Sequence, residues 1–153
     1  MYKDALAKND WDYKTINQRE GITMIKKMIN WILNSEEQEE LITPSNANEA
    51  FILKYKDLVI GYLKVKNGSW MFEYSEPFKN QNQVDALVDF PDKNKMYDSP
   101  HLWPFFSHRI PGLGQPQVQE IIKNEKIDGK NEVDLLKRFG QRSITNPFEL
   151  AML

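Results

Sequence analysis

The sequence predicts an α+β fold: a small antiparallel sheet of about four strands packed with three C-terminal helices, plus an N-terminal amphipathic helix. Two observations predict this class. Apolar residues recur at a strand-like period of two between residues 50 and 90, and the period becomes helical near residue 99. With 153 residues, of which 41% are hydrophobic and 12% aromatic, the chain has the bulk for one folded core.

Residues 1–48 are predicted to form a helical extension in front of a module at residues 49–153. Apolar side chains recur on one helical stripe from Ile22 to Leu33, and Pro44 prevents the helix from continuing. The polar segment 1–17 is interpreted as a loosely ordered arm or a short helix. The predicted organisation is therefore an N-terminal extension followed by the α+β module.

The module is predicted to begin with three strands between residues 51 and 74, with a fourth strand at residues 84–90. The dipeptide Asn67-Gly68 separates two β-rich runs, and both residue types tolerate the positive φ angles of a tight hairpin turn. Aromatic residues occupy every second position of the third strand, which predicts one aromatic face. These residues are Trp70, Phe72 and Tyr74.

Three helices are predicted near residues 101–107, 115–125 and 131–139. Ser99-Pro100 is interpreted as an N-cap followed by proline at the first helical position. Asn131 is predicted to cap the last helix and Gly140 to end it. The tail after Thr145 is predicted to be extended.

Composition argues against most catalytic and metal-binding functions. The chain has no cysteine, only two histidines, and no phosphate-binding loop, so we expect no metal, no cofactor and no enzymatic activity. Carboxylate pairs such as Asp89 and Asp92 are interpreted as solvated surface charge. The net charge of −2 has no basic block, so direct nucleic-acid binding is not expected.

The sequence also predicts a cytoplasmic protein without a membrane segment. The first residues are charged and lack the apolar core of a signal peptide. No apolar run approaches the roughly 18–20 residues that cross a bilayer.

The segment between Pro100 and Pro111 is the candidate contact surface for a partner. Trp103 lies between two prolines in a predicted short helix, and tryptophan is a common hot-spot residue at interfaces. Two interpretations remain open: Trp103 packs into the core, or it projects as an anchor while Phe106 fills the core. The candidate partner-binding residues are His101, Leu102, Trp103, His108 and Arg109.

The order of these features resembles the N-terminal subdomain of the HipA family of bacterial Ser/Thr kinase toxins. The resemblance covers about residues 50–145 and lies in the order and spacing of several short motifs. They are Ile60-Gly61-Tyr62-Leu63, Phe72-Glu73-Tyr74, the run from Leu87 to Pro91, the run from Pro104 to Pro111, and Leu135-Leu136 followed by Gly140.

The chain departs from that family at several positions. Arg109-Ile110 replaces the usual Leu-Leu pair, and Asn131 stands where an acidic residue is common. Gln141 follows Gly140 in place of an acidic residue with Gly-Ala, and residues 1–48 have no named counterpart. The chain also stops at Leu153, where a full HipA would begin its kinase core.

A standalone module of this kind is similar to HipS, the small protein of three-gene toxin–antitoxin systems. The resemblance implies an antitoxin or regulatory subunit that binds a separate HipA/HipT-type kinase toxin and neutralises it. It also implies that a Trp-bearing segment reaches toward the kinase active site. The alternative is a structural or adaptor domain, without antitoxin activity, in a complex with a helix-turn-helix DNA-binding partner.

Overall fold

The computed structural model describes residues 40–153 together with Ile25, Lys26 and Ile29. The chain divides into two compact units, Met1–Glu39 and Glu40–Leu153. In the first unit the backbone is helical at the three described residues. The rest of the predicted helix at 22–33, and the predicted arm at 1–17, lie outside the described residues. Within the described part of the chain, no helix combines the length and apolarity needed to cross a membrane.

The second unit is built on one antiparallel sheet. Its strands are β1 (Asn48–Tyr55), β2 (Leu58–Lys66), β3 (Ser69–Tyr74), β4 (Tyr97–Ser99) and β5 (Glu149–Met152). They lie in the order β4-β3-β2-β1-β5. The helices are α1 (Glu76–Lys79), α2 (Pro104–Ser107), α3 (Pro116–Asn124) and α4 (Glu132–Phe139). The predicted α+β class is therefore confirmed, with five strands where the sequence predicted about four.

The turn between β2 and β3 follows from its two residues. Asn67 and Gly68 have φ angles of 53° and 73°, as a tight hairpin turn with two left-handed residues requires. The turn places Lys66 opposite Ser69, and this register brings Leu63 and Val65 onto the same face as the aromatic residues of β3. The hairpin prediction is confirmed.

The aromatic face of β3 forms the centre of the core. Trp70, Phe72 and Tyr74 share one face of the strand, as predicted, and all three are buried. The Phe72 ring centre lies 4.2 Å from that of Phe90 and 5.6 Å from that of Phe106. Burial of each such ring contributes roughly 1.5–3 kcal/mol to folding, so this cluster is a main source of the stability of the module.

Gly61 in β2 makes room for this cluster. A Cβ atom at Gly61 would lie 2.5 Å from the backbone oxygen of Glu73 and 2.8 Å from the ring of Phe72. Contacts that close force the backbone or the ring to move. The glycine therefore allows the Phe72 ring to pack directly against the β2 backbone.

The predicted fourth strand at 84–90 is wrong: this segment is irregular, and the strand beside β3 is β4. Leu87 and Phe90 are both buried, and the Phe90 amide donates to the Leu87 carbonyl oxygen at 2.9 Å. A turn places two residues three apart on the same side, whereas a strand would point them to opposite faces. Because Leu87 and Phe90 are both buried, the backbone of this segment forms a turn and not a strand.

The hydroxyl of Tyr74 holds this turn in place. It donates to the Phe90 carbonyl oxygen at 2.7 Å and accepts from the Leu87 amide at 2.8 Å. Burial raises the pKa of Tyr74 to about 12. The ordinary tyrosine value is 10.0, so above pH 10 the unfolded chain loses this proton first, and the contribution of Tyr74 to stability declines.

Tyr74→Phe is expected to lower the free energy of unfolding by about 1–3 kcal/mol, because two buried backbone groups lose their partner. Tyr97→Phe is the matched control: the Tyr97 hydroxyl also bonds one amide and one carbonyl, both of Asp92, but in exposed positions. Urea denaturation of both variants measures the difference. Equal losses would contradict the role assigned to Tyr74.

The helices α2, α3 and α4 form close to their predicted positions, with one different start, whereas α1 was not predicted. α2 begins at Pro104 with Trp103 as its N-cap, so the predicted cap at Ser99-Pro100 is wrong. Ser99 instead ends β4, and its hydroxyl accepts from the His101 amide at 3.1 Å. The edge of β3 is thereby paired before the chain turns into α2.

The last helix and the tail follow their local signals. The Asn131 side-chain oxygen accepts from the amides of Val133 and Asp134 at 3.0 and 3.2 Å, which confirms the predicted N-cap of α4. Gly140 is the C-cap, as predicted. The extended tail is confirmed from Glu149 onward as β5, which pairs with β1.

A buried carboxylate ties residues 40–44 to α4 and β3. The Thr43 hydroxyl donates to Glu132 Oε2 at 2.8 Å, and the Trp70 indole nitrogen lies 2.9 Å from Thr43 Oγ1 and 3.3 Å from Glu132 Oε2. Burial raises the pKa of Glu132, and the two hydrogen bonds oppose that rise. The folded state therefore binds the Glu132 proton more tightly than the unfolded chain does.

Glu132→Gln is expected to raise the melting temperature at pH 7, because a neutral side chain fills the same site without a buried charge. A raised pKa means that the favourable contribution of Glu132 is present below the ordinary value of 4.5 and is lost as the pH rises above it. Melting curves at pH 4 and pH 7 test this. A variant less stable than the wild type at pH 7 would contradict it.

Candidate functional site

The segment around Trp103 is held at the start of α2. The Trp103 carbonyl oxygen accepts from the Phe106 and Ser107 amides, both at 2.9 Å, which fixes the residue at the helix N-terminus. Its ring packs edge-on against Phe90, with ring centres 5.0 Å apart, and is partly buried. Its indole N–H has no hydrogen-bond partner among the described residues. One side of the Trp103 ring thus packs against the protein, and its indole N–H can donate a hydrogen bond to another molecule.

Apart from the partly buried Trp103, the predicted contact residues separate into two groups. His101 and His108 are exposed and flank Trp103 along the chain. Leu102 and Arg109 are only 7% and 5% exposed, so the structure places both inside the fold. The physical reason for Leu102 is ordinary apolar burial in the core.

Arg109 is buried because its guanidinium binds the C-terminal segment. It donates to the Gly140 carbonyl oxygen at 3.2 Å, to Asn146 Oδ1 at 3.0 Å and to the Phe148 carbonyl oxygen at 3.1 Å. Burial lowers the pKa of Arg109 to about 10, so the group stays charged at neutral pH. Arg109 therefore connects α2 to the segment that leads into β5.

A groove lies beside α2, and the sequence analysis missed it. We call it the α2 groove: it has a volume of about 530 Å³ and lies between the loop 84–89, α2 and the segment 145–148. Phe105 and Phe148 lie with ring centres 5.8 Å apart. Asp89 Oδ2 accepts from the Phe105 amide at 2.9 Å and so fixes the loop to α2. No local signal connects these three parts of the lining, because they are distant from one another in the chain.

The arrangement is suited to contact with another chain. It presents a supported tryptophan, two exposed imidazoles and an adjoining groove with aromatic side chains. Large aromatic side chains with a free polar group are the residues that dominate protein–protein contacts. Among the described residues, no group of three or more His, Asp or Glu side chains is arranged to hold a metal ion.

Comparison with known proteins identifies the module. The family model for the HipA N-terminal domain matches residues 52–144, which is more than half of the chain and contains α2, Trp103 and the buried Arg109. A search of curated proteins gave no match. The matched range begins in β1 and ends after α4, so it covers most of the described sheet and all four helices. The chain belongs to the HipA N-terminal domain family.

Proposed function

We propose that this chain is a non-catalytic, cytoplasmic binding module that binds a HipA/HipT-type Ser/Thr kinase toxin in trans and neutralises it. Membership of the HipA N-terminal domain family supports a role in a HipA-related complex. The observation that carries the proposal is Trp103, which is braced against Phe90 on one side and has no hydrogen-bond partner for its indole N–H among the described residues.

The local backbone supports this role for Trp103. Pro100 and Pro104 restrict the chain on both sides, and α2 begins directly after the tryptophan. A contact segment that is ordered before binding loses little conformational entropy when a partner docks. His101 and His108 are exposed and flank Trp103 along the chain, so their imidazoles can supply hydrogen-bond donors and acceptors near the contact.

The test is co-expression of the full chain with the HipA/HipT-type kinase of the same genome, scored by growth rescue and co-purification. We expect the wild-type chain to rescue growth and to purify with the kinase. Co-purification without rescue would favour the alternative of an adaptor in a complex with a helix-turn-helix DNA-binding protein. Absence of both would overturn the proposal.

A second measurement addresses the absence of catalysis. Calorimetric titration of the isolated chain with ATP and Mg²⁺ is expected to show no saturable binding, because the sequence holds no phosphate-binding loop. Tight binding of Mg-ATP would contradict the non-catalytic part of the proposal.

A further inference from the structure

The α2 groove is a second candidate contact site, and its chemistry differs from that of the surface around Trp103. Its floor and walls are mainly apolar, and they include the rings of Phe105 and Phe148. Val88 on its rim is 94% exposed, although valine has no polar group that favours contact with water. An apolar groove with an exposed aliphatic rim is typical of a site that another chain covers.

The charge of the groove selects the kind of occupant. Its lining contains two carboxylates, Asp85 and Asp89, and no lysine or arginine. Asp85 is exposed and forms no ion pair or hydrogen bond within the described part of the chain. Asp89 uses one oxygen for the Phe105 amide. The groove therefore has one carboxylate without an ion pair or hydrogen bond among the described residues, Asp85, beside an apolar floor, while the guanidinium of Arg109 lies 5.3 Å from the centre of the Phe105 ring. The carboxylate of Asp85 beside the apolar floor is complementary to a segment with apolar and basic side chains.

The groove also lies along α2, the helix that begins directly after Trp103. Pro104, Phe105 and His108 line it, and all three belong to α2 or cap it. A partner that covers Trp103 at the start of α2 therefore lies close to the groove along the same short helix. One partner can use both.

We propose that the α2 groove binds a short segment of the partner protein in which apolar side chains are flanked by lysine or arginine. The apolar side chains lie against Phe105 and Phe148, and a basic side chain pairs with Asp85. The inference rests on the proposed function only for the identity of the partner, a kinase toxin. The recognition chemistry itself comes from the groove.

A pair of peptides tests the groove without the kinase. The full chain, labelled with ¹⁵N, is titrated with acetyl-Lys-Leu-Leu-Lys-amide and with acetyl-Glu-Leu-Leu-Glu-amide, which differ only in charge sign. We expect the lysine peptide to shift the amide signals of residues 84–89 and 145–148, and to bind at least about fivefold more tightly than the glutamate peptide. Equal binding of the two peptides, or shifts confined to other residues, would overturn the proposal.

A charge reversal tests the same groove in the complex. Asp85→Lys is expected to weaken kinase binding by about tenfold and to abolish binding of the lysine peptide. Glu120→Lys is the matched control, because Glu120 is also exposed, lies in α3 outside the groove and gives the same change in net charge. We expect the control to change kinase binding by less than about twofold.

The two proposals fail in different ways. If Trp103→Ala weakens the complex while Asp85→Lys behaves like Glu120→Lys, the groove assignment is wrong and the proposed function stands. If the wild-type chain does not bind the kinase, the proposed function is wrong, and the peptide titration decides the groove by itself.

Discussion

Phe106→Ala is expected to lower the free energy of unfolding by about 3–5 kcal/mol, because it removes a large buried ring from the centre of the core. Phe106 has 0% exposure. Its ring centre lies 5.6 Å from that of Phe72, 6.0 Å from that of Phe90 and 5.0 Å from that of Phe105. Chemical denaturation of the purified chain measures the loss.

Phe105→Ala is the matched control for Phe106→Ala. It is the same substitution on the same short helix, but Phe105 is only partly buried and lines the α2 groove. We expect it to cost about 1–2 kcal/mol, since less apolar surface leaves contact with the protein. If Phe106→Ala costs no more than Phe105→Ala, the assignment of Phe106 to the core is wrong.

Trp103→Ala is expected to weaken the complex with a HipA/HipT-type kinase by about 2–4 kcal/mol, which is the range for an aromatic hot spot. It is expected to cost the free protein only about 1 kcal/mol, because Trp103 is only partly buried and, among the described residues, makes one aromatic ring contact, with Phe90. Binding calorimetry with the kinase and thermal melting of the free chain measure the two effects separately.

Trp103→Phe separates the two roles of this residue. A phenyl ring keeps a contact with Phe90 but has no N–H donor, so we expect normal stability and an intermediate affinity for the kinase. If Trp103→Ala unfolds the protein while Phe106→Ala leaves it folded, the two sides of the segment have been assigned in reverse. If neither substitution weakens binding, the interface does not include the start of α2.

The elements that were predicted correctly are those whose structure is determined by residues close together in the sequence. Asn67-Gly68 forms its turn because these two residues tolerate positive φ angles, whatever lies further along the chain. Asn131 caps α4 because its own side chain reaches the next amides. The alternating aromatic residues of β3 share one face for the same kind of reason, since strand geometry alone places them there.

The elements that were predicted incorrectly depend on distant partners. The sequence pattern of residues 84–90 predicts a strand. The segment forms a turn instead, because the hydroxyl of Tyr74 bonds its backbone and Phe90 is buried. β4 is only three residues long, too short to produce a recognisable period, and it forms because the edge of β3 needs a partner.

The candidate site likewise combines features with a local cause and features that depend on residues distant in the chain. Trp103 and Arg109 were predicted on equal terms as contact residues, because both lie in one short segment between prolines. The residues that bind Arg109 lie 31 to 39 positions further along the chain, and their hydrogen bonds hold its guanidinium inside the fold. The sequence by itself determined that an aromatic, proline-flanked segment contains a short helix, but not the residue at which that helix begins. Only the tertiary structure decided which side chains that segment buries and that a groove lies beside it, because burial and grooves are set by contacts between residues far apart in the chain.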